Sequence, residues 1–451
     1  MRRIGKDLRS LDHINPTSNI TPHTSIKKRR NKLKNLQEAQ NEANKCLNCK
    51  VPMCQKGCPI STHIPEFIEK IKNNNLEEAY KILQSNNIMS DVCSNVCPYE
   101  ECCVGHCVRG IKGKPIQVNK LEKYVNNWAR DNNVIYVNET IKSNEIKVAI
   151  IGSGPAGIEC AIELAKNGFD VTIFEKESEI GGLLTYGIPG FRLPRDITQN
   201  LTKRIKSLGV NIQTNIEFGK DITINSLKKE GFKAIFIAIG AENASTYSLT
   251  NKECDKIYKS DYILKEYNAK NIVKNLGNVI VIGGGNVATD SARAAIRMGA
   301  KTSTIVYRRN KEKMPAREIE LQEAIEDGIK VIYNTKVLEA EVEDGKIEKV
   351  KCIKTDTTNG EVKDIENSEF YINADTIIFA IGLKPNKEII EQEKIQLENG
   401  LIKIDENCQT NIEGVFAGGD VCQSKATVCL AIKAGKEAAK NMEKYINTLY
   451  N

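Results

Sequence analysis

Two glycine-rich turns, each closing a β-branched run, constrain this chain more than any other feature. In KVAIIGSGPAGIEC the glycines Gly152, Gly154 and Gly157 make G-x-G-x-x-G, and in NVIVIGGGNVATDS the residues Gly283, Gly285 and Ala288 make G-x-G-x-x-A. The first glycine of such a pattern permits a tight turn, and the second lets backbone approach a pyrophosphate. The third position must be small so that helix can pack on strand. Each turn leads into a helical stretch and another strand, DVTIFEK in the first unit and KTSTIVYRR in the second. Two such starts predict an α/β chain with two doubly wound, Rossmann-like domains.

The two turns differ in their downstream residues. In the first, Pro155 and Ala156 open the helix whose free N–H groups and positive dipole end face a phosphate. Glu175 ends the next strand, where a carboxylate accepts hydrogen bonds from ribose hydroxyls. In the second, Asn286 and Val287 occupy the turn, and the matching strand ends in Val306-Tyr307-Arg308-Arg309. A carboxylate there would repel a 2′-phosphate, whereas guanidiniums bind one through charge-assisted, often bidentate bonds. The sequence thus predicts FAD at the first turn and NADP(H) at the second; the bland alternative makes Arg308 and Arg309 solvated strand-end charges.

Nine of the fifteen cysteines lie between Cys46 and Cys107. One group is Cys46, Cys49, Cys54 and Cys58, followed by a proline; the other is Cys93, Cys97, Cys102, Cys103 and Cys107. No apolar run reaches the roughly 18 residues of a membrane span. The start MRRIGKDLRSLD lacks the apolar stretch of a secretory signal. A cytoplasmic chain does not keep its thiols as disulfides, so metal ligation is the better reading. The spacing suits iron–sulfur clusters, with zinc as the rival. If Cys93 and Cys102 are set aside, seven thiols remain, one short of two four-ligand sites, which calls for a non-cysteine ligand. His63 and His106 lie nearby but read as satisfied or solvent-facing side chains.

Residues 1–34 hold ten Lys or Arg against two Asp, a basic leader with no aromatic residues for stacking on a single strand. It predicts no nucleic-acid partner. Residues 35–144 read as a helical iron–sulfur domain: apolar spacing predicts helices over Ile64–Asn86, with a turn at residues 73–75, and over Ile116–Ala129. Polar residues 131–145 read as a linker.

These motifs resemble a known family: the small (β) subunit of NADPH-dependent glutamate synthase. The large subunit of NADH-dependent ferredoxin:NADP⁺ oxidoreductase and the N-terminal half of dihydropyrimidine dehydrogenase are equally similar. The resemblance runs from about Lys45 nearly to the C-terminus. It rests on the cysteine block, IIGSGPAG, GGLLTYGIPGFRLPR, FIAIGA, VIGGGNVATD, VYRR, ADTIIFAIG and VFAGGD. It implies that Cys46, Cys49, Cys54 and Cys107 hold one 4Fe–4S cluster, and that Cys58, Cys97, Cys103 and Glu122 hold a second. It places Asp420 on the ribityl–phosphate region of the flavin, and a helix starting near Thr427 and Val428 with its N-terminus at the isoalloxazine. Gly182, Leu183, Arg192, Asp290, Gly382 and Gly419, within the shared motifs, count among the cofactor-binding positions. The domains implied are an FAD-binding domain split into segments 145–270 and 374–451, with an NADP(H) domain inserted at 271–373. The activity implied is electron transfer between NADPH, FAD and two clusters, with no catalytic side chain of its own. A partner subunit would carry the other half-reaction: the glutamate synthase large subunit or, in a bifurcating transhydrogenase, a second flavin subunit. A non-catalytic assembly protein with degenerate nucleotide sites is the distant alternative.

Overall fold

The computed structural model describes residues 33–134, 143–271, 273, 275–358 and 360–450. The basic leader, all but its last two residues, and most of the linker fall outside them. The cysteine-bearing region is helical, with helices Leu36–Ala43, Met53–Lys56, Ile64–Lys72, Leu76–Asn86, Ser90–Val96 and Val118–Asp131. Asn74, in the left-handed region at φ +54°, breaks the chain between the third and fourth. The Asn75 side chain caps the fourth by accepting from the Glu78 N–H. Ile64, Phe67, Ile68 and Ile71 bury one face against Leu83, Leu121 and Val125, as the helical spacing predicts.

Two five-stranded parallel sheets come next, and they repeat one topology. In the first, Lys147–Ile151 is central, with Asp170–Glu175 and Asn211–Thr214 on one side and Ala234–Ile237 and Val415–Ala417 on the other. In the second, Asn278–Ile282 is central, with Thr302–Val306 and Lys330–Ile332 on one side and Thr376–Phe379 and Ile257–Lys259 on the other. An antiparallel ribbon of Thr335–Glu343, Lys346–Asp356 and Phe370–Asn373 is inserted in the second unit.

This topology corrects the expected boundaries. Those boundaries put Thr376–Phe379 in the later FAD segment and Ile257–Lys259 in the earlier one. Both strands pair inside the second sheet, which therefore begins before residue 271 and ends after 373. The reason is that a doubly wound sheet needs neighbours on both sides of its first strand. FIAIG supplies one to Lys147–Ile151, and FAIG supplies the equivalent one to Asn278–Ile282. The chain passes between the units at a short antiparallel pair, Asn243–Ala244 with Leu383–Lys384.

The last helix, Val428–Tyr450, lies against Pro155–Lys166 of the first unit. Gly435 permits the approach, since a Cβ there would sit 2.3 Å from the Ala156 carbonyl oxygen. Ile88, Met89, Val92 and Cys93 of the helical region share one apolar core with Leu193, Ile197, Leu201 and Ile432 of the first unit. The helical region is thus seated on the first nucleotide-binding unit through a continuous core.

Candidate redox centres

The first glycine turn is built to receive an anion. Gly152 has φ +95°, and a Cβ there would lie 2.5 Å from the Ala238 carbonyl oxygen. Gly154 caps the Pro155–Lys166 helix without a side-chain bond, and the space before it is open. The first N–H groups of that helix are therefore free for a pyrophosphate. Glu175 is held in place at the strand end: the Ser153 N–H donates to Oε2 at 3.0 Å and the Glu177 N–H to Oε1 at 2.9 Å. Burial pushes its carboxyl up, and the Ser153 hydroxyl, which also reaches Oε2, offsets some of that. Gly182 and the short helix opening at Leu183 cover the turn, a Cβ on Gly182 falling 3.1 Å from Gly154 Cα. Gly419, at φ +81°, rests against Ala156 and brings Asp420 to the same place. Asp420 Oδ1 is buried without a hydrogen-bond partner, and burial pushes the carboxyl up to about 6. An orphaned acceptor beside an uncapped helix fits a hydroxyl-rich dinucleotide such as FAD. Thr427 precedes the final helix, with its hydroxyl accepting from the Leu430 N–H at 3.4 Å.

The second turn repeats the arrangement. Gly283 leaves no room for a Cβ, which would meet the Ala380 carbonyl oxygen at 2.2 Å, while Gly285 caps Asn286–Arg297 over open space. Val287 is half-buried and Ala288 fully buried in that helix. Gly382, at φ +116°, lies beyond the end of Thr376–Phe379 with open space around it. Arg308 is exposed at the strand end, and Arg309 is half-buried with its Nε unpartnered. The donors expected to select a 2′-phosphate are present beside the turn.

Two cavities hold the thiols, and each draws on both cysteine groups. Cys46, Cys49, Cys54 and Cys107 line one, with about 410 Å³ of space that includes its open mouth. Cys58, Cys97, Cys103 and Glu122 line the other, with about 380 Å³ of space that likewise includes its open mouth. Burial pushes the Cys54 thiol up to about 11, and the Cys58 and Cys103 thiols up as well. Glu122 is pushed up to about 8 by burial, against a hydrogen bond from Ser90. Among the described residues no three His, Cys, Asp or Glu converge closely enough for a single ion. Thiols and one carboxylate ringed around a wider space suit a cluster in each cavity. Neither His63 nor His106 lines either of these two cavities; His106 contacts the Cys102 carbonyl through Nδ1.

Three sulfurs not read as ligands also line the second cavity: Cys93, Cys102 and Cys429. Cys93 accepts from Asn87 Nδ2 at 3.3 Å, and Cys429 lies 3.5 Å from the Thr427 hydroxyl. Cys429 opens the last helix of the first nucleotide unit, so that unit reaches the second cavity directly. Sequence reasoning missed it, although a cysteine in the otherwise apolar start TVCLAI was a usable signal.

Arg192 and Asp290, expected among the cofactor-binding positions, are paired with each other in the structure. Arg192 Nη1 meets Asp290 Oδ2 at 2.5 Å and its Nε lies 3.1 Å from Glu320 Oε2, all three groups being buried. The neighbouring Phe191 lies beneath the Arg293 and Arg297 guanidiniums, at 4.4 and 4.3 Å. The segment FRLP therefore clamps the second unit onto the first. Arg317 extends the cluster to the helical region, pairing with Glu100 at 3.0 Å and lying over Tyr99 of the second cavity wall.

Comparison with known proteins agrees with this architecture. Residues 146–438 match the pyridine nucleotide-disulphide oxidoreductase family, and residues 23–134 match dihydropyrimidine dehydrogenase domain II, 4Fe-4S cluster. The chain is 30% identical to the glutamate synthase [NADPH] small chain of Escherichia coli K12, over 91% of this chain and 92% of that one. It is 32% identical to the NAD-dependent dihydropyrimidine dehydrogenase subunit PreT of Escherichia coli O157:H7, over 97% of each. Among solved structures, Lactococcus lactis thioredoxin reductase superposes with a TM-score of 0.52 at 25% identity, over 67% of this chain and all of that one. A flavin-type and a nicotinamide-type turn, joined to thiol-lined cavities, thus sit on a chain that belongs to the glutamate synthase small-chain family of iron–sulfur flavoprotein oxidoreductases.

Proposed function

We propose that this chain is the electron-input small subunit of an NADPH-dependent glutamate synthase, linking NADPH and FAD to two 4Fe–4S clusters and a partner subunit. The observation that carries the reading is the pair of cavities, one lined by four thiols and the other by six thiols and Glu122, and each drawn from both cysteine groups. Cys46, Cys49, Cys54 and Cys107 would hold one cluster; Cys58, Cys97, Cys103 and Glu122 would hold the other. When bound, flavin accepts a hydride and releases electrons singly, and the clusters take them one at a time. The chain supplies placement. Gly152 makes the tight turn, its own N–H held by the Phe174 carbonyl oxygen. Gly154 and the first turn of the Pro155–Lys166 helix present backbone N–H groups to the FAD pyrophosphate, while Glu175 and Asp420 accept from its hydroxyls. Gly285 and the start of the Asn286–Arg297 helix do the same for NADPH, with Gly283 making the turn and Ala288 the close packing, and Arg308 and Arg309 neutralise its 2′-phosphate.

The surface at the first cavity supports a protein partner. Leu47, Val51, Met53 and Ile111 are large apolar side chains left exposed there, Ile111 by 79%. Exposed Lys45, Lys50, Lys56, Lys112 and Lys114 accompany them, which favours an acidic partner face. A cytoplasmic location belongs to the same reading.

The decisive experiment is anaerobic NADPH titration of the purified protein, followed by flavin absorbance and paramagnetic resonance. Flavin bleaching, two distinguishable cluster signals and twice the iron of a single 4Fe–4S cluster are expected. Iron for one cluster only would reject the two-cluster reading, and isolation of the native protein without a large glutamate synthase chain would reject the assignment of partner. The 97% coverage of the dihydropyrimidine dehydrogenase subunit favours a second reading, in which the partner is a pyrimidine-reducing chain. That partner in the same isolation would establish it.

A further inference from the structure

Behind Glu122 the core contains a row of side-chain hydrogen bonds that apolar packing does not require. Gln84, Ser90 and Asn126 are each 1% exposed. Ser90 Oγ donates to Glu122 Oε1 at 2.8 Å. Asn126 Nδ2 donates to Ser90 Oγ at 2.9 Å and to the Glu122 carbonyl oxygen at 3.0 Å. Gln84 Nε2 donates to Asn126 Oδ1 at 3.3 Å. Arg204, on the Arg195–Ser207 helix of the first nucleotide unit, reaches Gln84 Oε1 through Nη2 and the Ile88 carbonyl oxygen through Nη1.

The direction of this row is fixed at its far end. A guanidinium only donates, so Gln84 must present its oxygen to Arg204 and its amide protons to Asn126. Asn126 must then present its oxygen to Gln84 and its protons to Ser90. The Ser90 oxygen is taken as acceptor, which sends its proton to Glu122. Every bond runs from the cation toward the carboxylate, the arrangement in which hydrogen bonds polarise one another. Arg204 directs its contacts to an amide and a carbonyl oxygen rather than to a carboxylate, and its Nε is buried without a partner. Three neutral polar side chains in an apolar core are costly unless every bond is made, and apolar chains of similar volume would fill the space.

We propose that Arg204, Gln84, Asn126 and Ser90 form a positioning relay that orients Glu122 as a ligand of the second-cavity cluster and sets that cluster's reduction potential from the flavin-side unit. The proposal rests on the reading of Glu122 as a ligand. The relay engages Oε1, leaving Oε2 for iron. A donor on a ligand oxygen draws charge from the metal centre and favours its reduced, more negative form. The relay therefore raises the potential, and cutting it lowers the potential.

Redox titration of the intact holoprotein, read by paramagnetic resonance with iron assayed in parallel, tests this. Ser90→Ala and Arg204→Met are expected to keep full iron and both cluster signals. They should shift the electron-partition constant of one cluster, and only one, by about tenfold toward the oxidised form, about 59 mV for a one-electron couple. Ser90→Thr, which keeps the hydroxyl, should restore it. Unchanged potentials in Ser90→Ala, alongside loss of one cluster in Glu122→Ala, would reject the relay and leave the ligand reading standing. Both clusters intact in Glu122→Ala would reject the ligand reading and the relay with it. Should Arg204→Met fail to fold, the Ser90 pair decides alone.

Discussion

On the function proposed above, nicotinamide choice turns on Arg308 and Arg309. A hydrogen bond to a charged group contributes about 1.5–3 kcal/mol. The double variant Arg308→Ala, Arg309→Ala should raise the KM for NADPH on the order of a hundredfold and leave that for NADH nearly unchanged, as steady-state kinetics with both cofactors will show. Equal losses for the two would mean that neither guanidinium sees the 2′-phosphate. Both residues were singled out by the strand-end contrast with Glu175, where the sign of the charge decides whether a 2′-phosphate is repelled or held. Glu122 was legible only by counting thiols and by resemblance. Ser90, Gln84, Asn126 and Arg204 were not legible at all, since hydrogen bonds between residues far apart in the chain leave no periodicity in a sequence.

Among the elements, the contact of Phe191 and Arg192 with the Asn286–Arg297 helix has a structural role that the motif does not announce. The motif reads as a cofactor contact, yet Arg192 lies between Asp290 and Glu320. Removing one partner of a buried ion pair costs about 3–5 kcal/mol, because the other charge stays buried. Arg192→Ala should therefore lower the unfolding free energy by that amount, measured by urea unfolding monitored by circular dichroism. Asp290 also fixes a pH dependence. Burial pushes its carboxyl up to about 6, against the pull of Arg192. The folded chain thus holds that proton more tightly than the unfolded chain, in which it titrates near 4. Its contribution favours the fold below about pH 4 and is lost as pH rises through about 6. Asp290→Asn should flatten that stretch of a Tm-against-pH curve relative to the native chain; an unchanged slope would count against it. Sequence patterns placed the helices and first strands of both units well, because helical spacing and β-branched runs are local. They placed the domain boundary wrongly, because strand membership is decided by pairing and FAIG pairs with a segment about a hundred residues earlier.

For the whole molecule, the helical region and the flavin-type unit share one core, so stability and cofactor retention should be coupled. Met89 is fully buried in that shared core. Met89→Ala is expected to cost about 2–5 kcal/mol. Flavin retention and iron content should fall together along one melting curve. Two separated transitions would show that the two regions unfold independently.

The interleaving of the thiols bears on how the molecule comes into being. Cys107 belongs to the wall that Cys46 begins, and Cys58 to the wall that Cys97 and Glu122 finish. A chain still emerging from the ribosome and ending before Cys107 has neither wall complete. On the two-cluster reading proposed above, neither ligand set is complete until the chain has passed Cys107, so metallation would follow synthesis of nearly the whole helical region.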